Sequence, residues 1–435
     1  MIARLLALFF LLASPAMAQN DGAALSPGQR VGGRIIALTN GRIATMGPAG
    51  TIARGTIVIR DGRIAAVGPS VAVPAGATIV DAGGRTVTPG LIAAGTGLGL
   101  IEVRSVDAAN DRQQRNAAIS AAFDAGDGLN PDSLLVPIAR RGGITRAITV
   151  PLYDDAPNRD LLFAGQAAAV SLGGAPMLMR RGVAMVLEMG EGGAERAGGA
   201  RAAELTALRA IFADVRDFAR RRAAYDRGET RAYALSRADL EALVPVVEGR
   251  MPLLVSVNRA SDIRDLLALA REEQLRIILE GAAEGWRVAP EIARAGVPVV
   301  LTPVENLPVS FESLGATLEN ARRLQAAGVL IAFQGNGNHR ERELRYNAGN
   351  AAATGLAWEA ALAAITINPA RIFGLAATSG SIEPGKAADI VIWNGDPLDT
   401  LGRPAAIYIG GIAQPMTSRQ TELRDRYIRP AGGTP

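Results

Sequence analysis

Two patterns of apolar positions divide the chain. From residue 33 to residue 82 apolar and polar positions alternate in short runs, the period of a half-buried strand. The clearest run, GTIVIRDGRIAAVG, predicts strands at Thr56–Arg60 and Arg63–Val67 joined by Asp61-Gly62, a two-residue loop whose residues tolerate positive φ. Near the other end, Ala388–Trp393 (ADIVIW) and Ala406–Ile412 (AIYIGGI) are again strand-like and bounded by glycine or Asn-Gly turns. Two β-rich ends around a long middle predict one small β-sandwich built from both, over residues 32–88 and 378–415.

The middle changes period. Short apolar runs at Leu253–Asn258, Arg276–Glu280 and Val297–Thr302 recur about 22 residues apart, with helical patterns between them starting near Ser261 and Ala283. Ser236 with Asp239 three residues on, and Ser261 followed by an acidic residue, are expected helix starts. Adding Ile144–Val150, Val183–Glu188 and Val329–Phe333 gives an α/β alternation that fits a closed (β/α)8 barrel over residues 89–377. An open doubly wound sheet is the alternative, against which no G-x-G-x-x-G turn or P-loop opens a helix in the early strands. In such a barrel, chemistry sits at the C-terminal strand ends. Residues 416–435 read as a tail.

Composition narrows this picture. The 435 residues are 49% hydrophobic and 20% charged, enough for a large core. The opening residues place Arg4 before the apolar run Leu5–Ala13 and the small-x-small triplet Ala16-Met17-Ala18. That pattern predicts a signal peptide over residues 1–18, cut near Ala18/Gln19, and a periplasmic or secreted protein; the run is too short to span a membrane. Without cysteine, disulfides and thiolate metal sites are excluded. The high pI of 9.8 accompanies a net charge of only +4, because arginine carries almost all the positive charge and Lys386 is the single lysine. Aromatic residues, 4% of the chain, do not interleave with arginines, so platforms for nucleic acid are missing; the basic run RDFARRR at 216–222 is expected to be a solvated helix face.

Three segments, VDAGGRTVTPGLI (80–92), ALAAITINPARIFGL (361–375) and GSIEPGKAADIVIW (380–393), resemble the amidohydrolase superfamily, in particular its imidazolonepropionase-like and prolidase-like branch. The resemblance covers roughly residues 32–415 and implies a TIM-like barrel with a composite β-sandwich. It also implies hydrolysis of non-peptide C–N bonds with zinc or another divalent metal. After Pro-Gly-Leu-Ile the family carries two metal-binding histidines two residues apart; the corresponding positions here are Gly95 and Gly97. The fifth-strand histidine falls in LLVSVNRASDI, where Ser256 and Asn258 stand, and the sixth strand offers Glu280. The metal-binding, proton-accepting aspartate of the eighth strand corresponds best to Asn336, with Gly335 or Gly337 as alternatives. A carboxylated barrel lysine is unavailable, since Lys386 belongs to the sandwich.

Some chemistry remains open. His339 is the only histidine, too few for the usual three-ligand zinc site, and no G-x-S-x-G elbow presents a serine nucleophile. Glu188, Glu280 and Glu305 are expected at or just past strand ends, where oxygen ligands hold hard cations or paired carboxylates serve as acid and base. Glycine in place of the two histidines predicts a roomier mouth lined by Ser256, Asn258, Arg259 and Asn336, with Gln166 as a further binding candidate. The expectation is therefore a degenerate family member without a metal or other cofactor. It would serve as a small-molecule binding protein, or as the supporting subunit of an intact amidohydrolase paralogue or of a homo-oligomer, with no nucleic acid partner and no membrane span. The alternative is an active hydrolase for a small cyclic or acylated substrate, using a carboxylate-held metal or none.

Overall fold

The computed structural model describes residues 35–428, except 104, 115, 117–118, 154–161 and 336 and the side chains of Asn338 and His339. The expected signal peptide and Asn336 lie outside the described residues.

The chain opens with β1 (Ile35–Ala44), β2 (Thr51–Arg60), β3 (Arg63–Gly68), β4 (Thr78–Asp81) and β5 (Thr86–Pro89). In the β2–β3 turn both Asp61 (φ 50°) and Gly62 (φ 77°) are left-handed, the backbone that a primed hairpin turn needs to match strand twist. β1 pairs with β2 on one side and, in succession, with β4 and β5 on the other.

The second sheet runs from β6 (Leu91–Thr96) through β7 (Ile144–Thr149), β8 (Phe163–Ser171), β9 (Leu178–Glu188), β10 (Leu253–Val257), β11 (Ile277–Gly281) and β12 (Val299–Leu301) to β13 (Ile331–Phe333), in sequence order. Around it lie α1 (Leu135–Arg140), α2 (Glu191–Arg196), α3 (Arg201–Asp226), α4 (Arg237–Val247), α5 (Ala260–Glu272), α6 (Ala289–Ala295), α7 (Asn320–Ala326), α8 (Leu344–Ala353), α9 (Trp358–Ala363) and α10 (Ile367–Ile372). Alternate strand residues separate two cores. Ile92, Ala94, Val186, Leu254, Ile278 and Val300 fill the interior, while Leu91, Leu187, Leu253, Val255 and Leu279 pack with the helices. This is an α/β TIM-like barrel with a second sheet domain.

Two features depart from a plain (β/α)8 repeat. β8 is antiparallel to both neighbours, because only residues 172–177 join it to β9, a link too short for a parallel crossover. The ladder also stops between β6 and β13. There the segment after α9 closes the seam: the Phe333 N–H donates to Ala364 O and the Ile92 N–H to Ile365 O, both at 2.9 Å. The next helix adds a further tie from Asn368 Nδ2 to Ile331 O, 2.8 Å.

The chain then returns to the first sheet with β14 (Ile390–Asn394), β15 (Arg403–Ile409) and β16 (Ile412–Ala413), and ends in α11 (Arg419–Tyr427). β14 pairs antiparallel with β5, so both chain ends share one sheet over a core of Ile36, Leu38, Ile57, Ile59, Val87, Ile390 and Ile392. Lys386 donates to Ser381 Oγ (2.6 Å) and Glu383 Oε1 (2.8 Å). A buried ion pair, Arg146 of β7 with Asp389 just before β14, joins the barrel to this sheet.

Ser236 caps α4 by accepting the Asp239 N–H at 3.2 Å, as its spacing predicts. The helix expected to start at Ser261 starts at Ala260, with Arg259 in extended backbone before it, which puts Ser261 inside the first turn. On α3 the basic run is laced to acidic neighbours through Arg216–Glu273, Arg220–Asp217 and Arg222–Glu241, as a solvated face would be. Among the described residues no helix is long and apolar enough to cross a membrane.

Candidate functional site

Three side chains from adjacent barrel strands share one level near the C-terminal mouth. Ser256 of β10 is in register with Glu188 of β9 on one side and Glu280 of β11 on the other. All three have the parity of the interior residues Val186, Leu254 and Ile278, so they face the barrel axis. At the usual strand spacing the Cα atoms of Glu188 and Glu280 are about 10 Å apart, with Ser256 between them.

Across the mouth, β6 ends in a bulge at Gly95. The register slips between Ala94 and Thr96, and Gly95 adopts φ +80°, a conformation glycine enters without strain. A Cβ at this position would lie 2.7 Å from Gln334 Oε1 and 3.1 Å from Glu280 Oε1. The space beside Gly95 is thus already filled by the Gln334 amide and the Glu280 carboxyl, and the empty volume expected from the loss of a histidine is not found there. Gly97 lies past the strand, where its carbonyl accepts the Leu100 N–H at 3.0 Å. The bulge therefore breaks the alternation that would set positions 95 and 97 on one face.

Arginines balance the two carboxylates unequally. Glu188 receives Arg196 Nε at 3.2 Å, and that guanidinium stacks 3.8 Å over the Tyr153 ring. Tyr153 in turn accepts the Glu188 N–H at 3.0 Å and donates to Leu162 O at 2.6 Å; burial, then the Glu188 charge, raises its pKa and holds the phenol neutral. Glu280 has no such contact partner among the described residues. Burial pushes its carboxyl above the usual range, the charge of Arg112 acts against that shift, and the carboxylates of Glu188 and Glu305 add to it. Arg112 is itself buried and anchored by its Nε to Val150 O at 2.7 Å.

The other expected site residues are dispersed. Glu305 follows β12 on the rim; the residue is exposed overall, while partial desolvation of its carboxyl raises its pKa. It lines a groove of about 430 Å³ together with Asn258. Asn258 Oδ1 also accepts the Ala283 N–H at 3.3 Å. Arg259 does not line the mouth, because it turns to Asp262 of its own helix. Gln166 is in register with Met185, a residue of the helix-facing layer, and its amide reaches Ala121 O at 3.4 Å; it braces the loop before α1. The His339 backbone lies in the 3-10 turn Asn338–Glu343, and its side chain lies outside the described residues.

Chain periodicity gave no sign of Tyr153, Arg112, Arg196 or Gln334, since all four come from loops or a short helix brought to the mouth only by folding. Glu204 of α3 was equally hidden. It is 1% exposed, accepts the Gly190 N–H through Oε2 at 3.3 Å, and has no partner for Oε1 among the described residues. Burial, reinforced by Asp262 and Glu188, pushes its pKa up to about 7.

The divalent metal that the resemblance implies does not fit these residues. Among the described residues no three His, Asp or Glu side chains are grouped to hold an ion, and the strand end that would supply the paired histidines is a glycine bulge packed against Gln334 and Glu280.

A model of the amidohydrolase family matches residues 221–418. Amidohydrolase tasK of Hapsidospora irregularis is 25% identical over 361 residues, 77% of this chain and 37% of that protein. The urease subunit alpha of Edwardsiella ictaluri is 29% identical over 164 residues, 36% of this chain and 26% of that one. The chain thus spans well under half the length of either relative. Among solved structures, an amidohydrolase from Thermotoga maritima MSB8 superposes with a TM-score of 0.77 at 24% identity, covering 87% of this chain and 99% of the other. An enamidase superposes at 0.53 and 18% identity, covering 88% and 97%. The chain is thus similar to the amidohydrolase family from α3 to the returning sheet, and it shares the fold of an amidohydrolase over most of its length.

Proposed function

We propose that this chain is a non-hydrolytic member of the superfamily that binds a small molecule at the barrel mouth. The observation that supports this reading most directly is at Gly95, where the space beside a metal-ligand position is occupied by Gln334 and Glu280 and the backbone has a conformation that disfavours any side chain. The polar row Glu188–Ser256–Glu280 remains available for hydrogen bonds, and the adjoining groove is of ligand size. Neither feature requires bond cleavage.

One observation favours a second reading, metal-free acid–base hydrolysis. Glu280 is held above the usual carboxyl range while Glu188, paired with Arg196, lies on the same level, and two carboxyl groups in unlike surroundings divide acid and base roles. Assay of the purified protein against N-acyl amines, lactams and ureido compounds, with and without added zinc or manganese, separates the two. The binding reading expects no turnover above that of Glu280→Gln. Turnover that Glu280→Gln abolishes would replace it with the hydrolytic one.

A further inference from the structure

We propose that the groove beside the mouth binds a protonated amine carrying an apolar body, with Glu305 as its counter-ion. This deepens the binding reading above and rests on it.

The groove holds about 430 Å³, within the range of small-molecule sites. Its walls include Ala283, Val304, Leu307 and Val309, and among the described residues Glu305 is the only charged one of the lining. Leu307 and Val309 are 67% and 86% exposed, so this wall offers apolar area that none of the described residues covers. The wall is also anchored. Glu312, four residues before Ala316 at the far end of the lining, accepts the Glu191 N–H at 2.6 Å and pairs with Arg201 at 2.5 Å. A ligand would therefore meet a preformed surface.

Charge points to the head group. In a chain whose acidic residues are widely paired with arginine, Glu305 has no cationic partner among the described residues. Its negative charge also acts unfavourably on Glu280. A cation seated against Glu305 would relieve both carboxylates, whereas an anion would meet three, counting Glu188. Asn258 links groove and mouth: it lines the groove, and its Oδ1 lies 2.7 Å from where a Cβ on Gly281, next to Glu280, would stand.

The test uses phenethylamine, phenethyl alcohol and phenylacetate as isosteric probes, titrated calorimetrically into the full-length protein at neutral pH. The amine is expected to bind at least about tenfold tighter than the alcohol, with the acid weakest. Glu305→Gln should lower amine affinity to that of the alcohol and leave the alcohol unchanged, while Val309→Ser weakens both. Both positions are exposed, and an unchanged melting temperature verifies the fold. Equal binding of all three probes, amine binding indifferent to Glu305→Gln, or no binding of any probe would each overturn the proposal. Turnover of N-acyl amines is read separately: it would overturn the non-hydrolytic reading whatever the probes show, and its absence would leave that reading standing even where the groove fails.

Discussion

Gly95 and Glu280 face each other across the barrel mouth so closely that a Cβ on the glycine would stand 3.1 Å from the carboxyl oxygen. The contact lies where the family resemblance places a metal, and it makes Gly95 part of a packed arrangement. Glycine supplies the bulge, and Gln334 and Glu280 occupy the space it leaves.

Placing histidines at positions 95 and 97 should therefore create no metal site. The double substitution Gly95→His, Gly97→His forces a side chain into φ +80° and against Gln334 at 2.7 Å. The strain alone costs about 1–3 kcal/mol. Denaturant unfolding is expected to show that loss, and zinc should not raise the midpoint of the variant.

The junction between barrel and sheet rests on a buried charge pair. Arg146 and Asp389 are 9% and 6% exposed at the side chain, and Asp389 also accepts the Gly410 N–H at 2.8 Å. Asp389→Ala leaves a buried guanidinium without its carboxylate, at a cost of roughly 3–5 kcal/mol. The double variant Arg146→Met, Asp389→Ala should recover part of that loss in the same unfolding measurement.

The hairpin at Asp61-Gly62, most barrel strands and the Ser236 cap were legible in the chain because each depends on local pattern. The chain pattern placed Glu188, Glu280 and Glu305 at strand ends; the level that Glu188 and Glu280 share with Ser256 is set by the strand register, which the pattern does not give. The Gly95 bulge was not legible, since alternation assumes a regular strand and gives no signal of a slipped register. Nor was the direction of β8: its alanine-rich run FAGQAAAVS fits a buried strand of either sense. Tyr153 and Arg196 escaped notice because their partnership with Glu188 exists only in the fold.

Asp239 ties the long loop before α1 to α4. Its Oδ1 accepts the Ser120 N–H at 2.9 Å and the Ala122 N–H at 2.8 Å. Asp239→Ala orphans two backbone donors at about 1–3 kcal/mol each. Hydrogen exchange should then accelerate across residues 119–127 more than in β10 or β11.

Glu204 predicts a pH dependence of stability. Its pKa of about 7 in the fold exceeds the ordinary 4.5, so between these values the folded state keeps a proton that the unfolded chain has released. The contribution is complete below about pH 4.5, declines as pH rises to 7, and is absent above; its full size is on the order of 3 kcal/mol. Glu204→Gln should flatten this slope, and should be more stable than the parent at pH 8. A slope unchanged by the substitution would assign the titration to another group.

The central claim, that the barrel mouth has exchanged metal chemistry for a packed polar site, is tested most directly by metal content. Protein purified without chelators would be analysed by inductively coupled plasma mass spectrometry for zinc, manganese, iron and nickel. The account predicts less than about a tenth of an equivalent per chain. Close to one equivalent, lost on Glu280→Gln in a variant that still folds, would contradict it and make Glu280 part of a metal site.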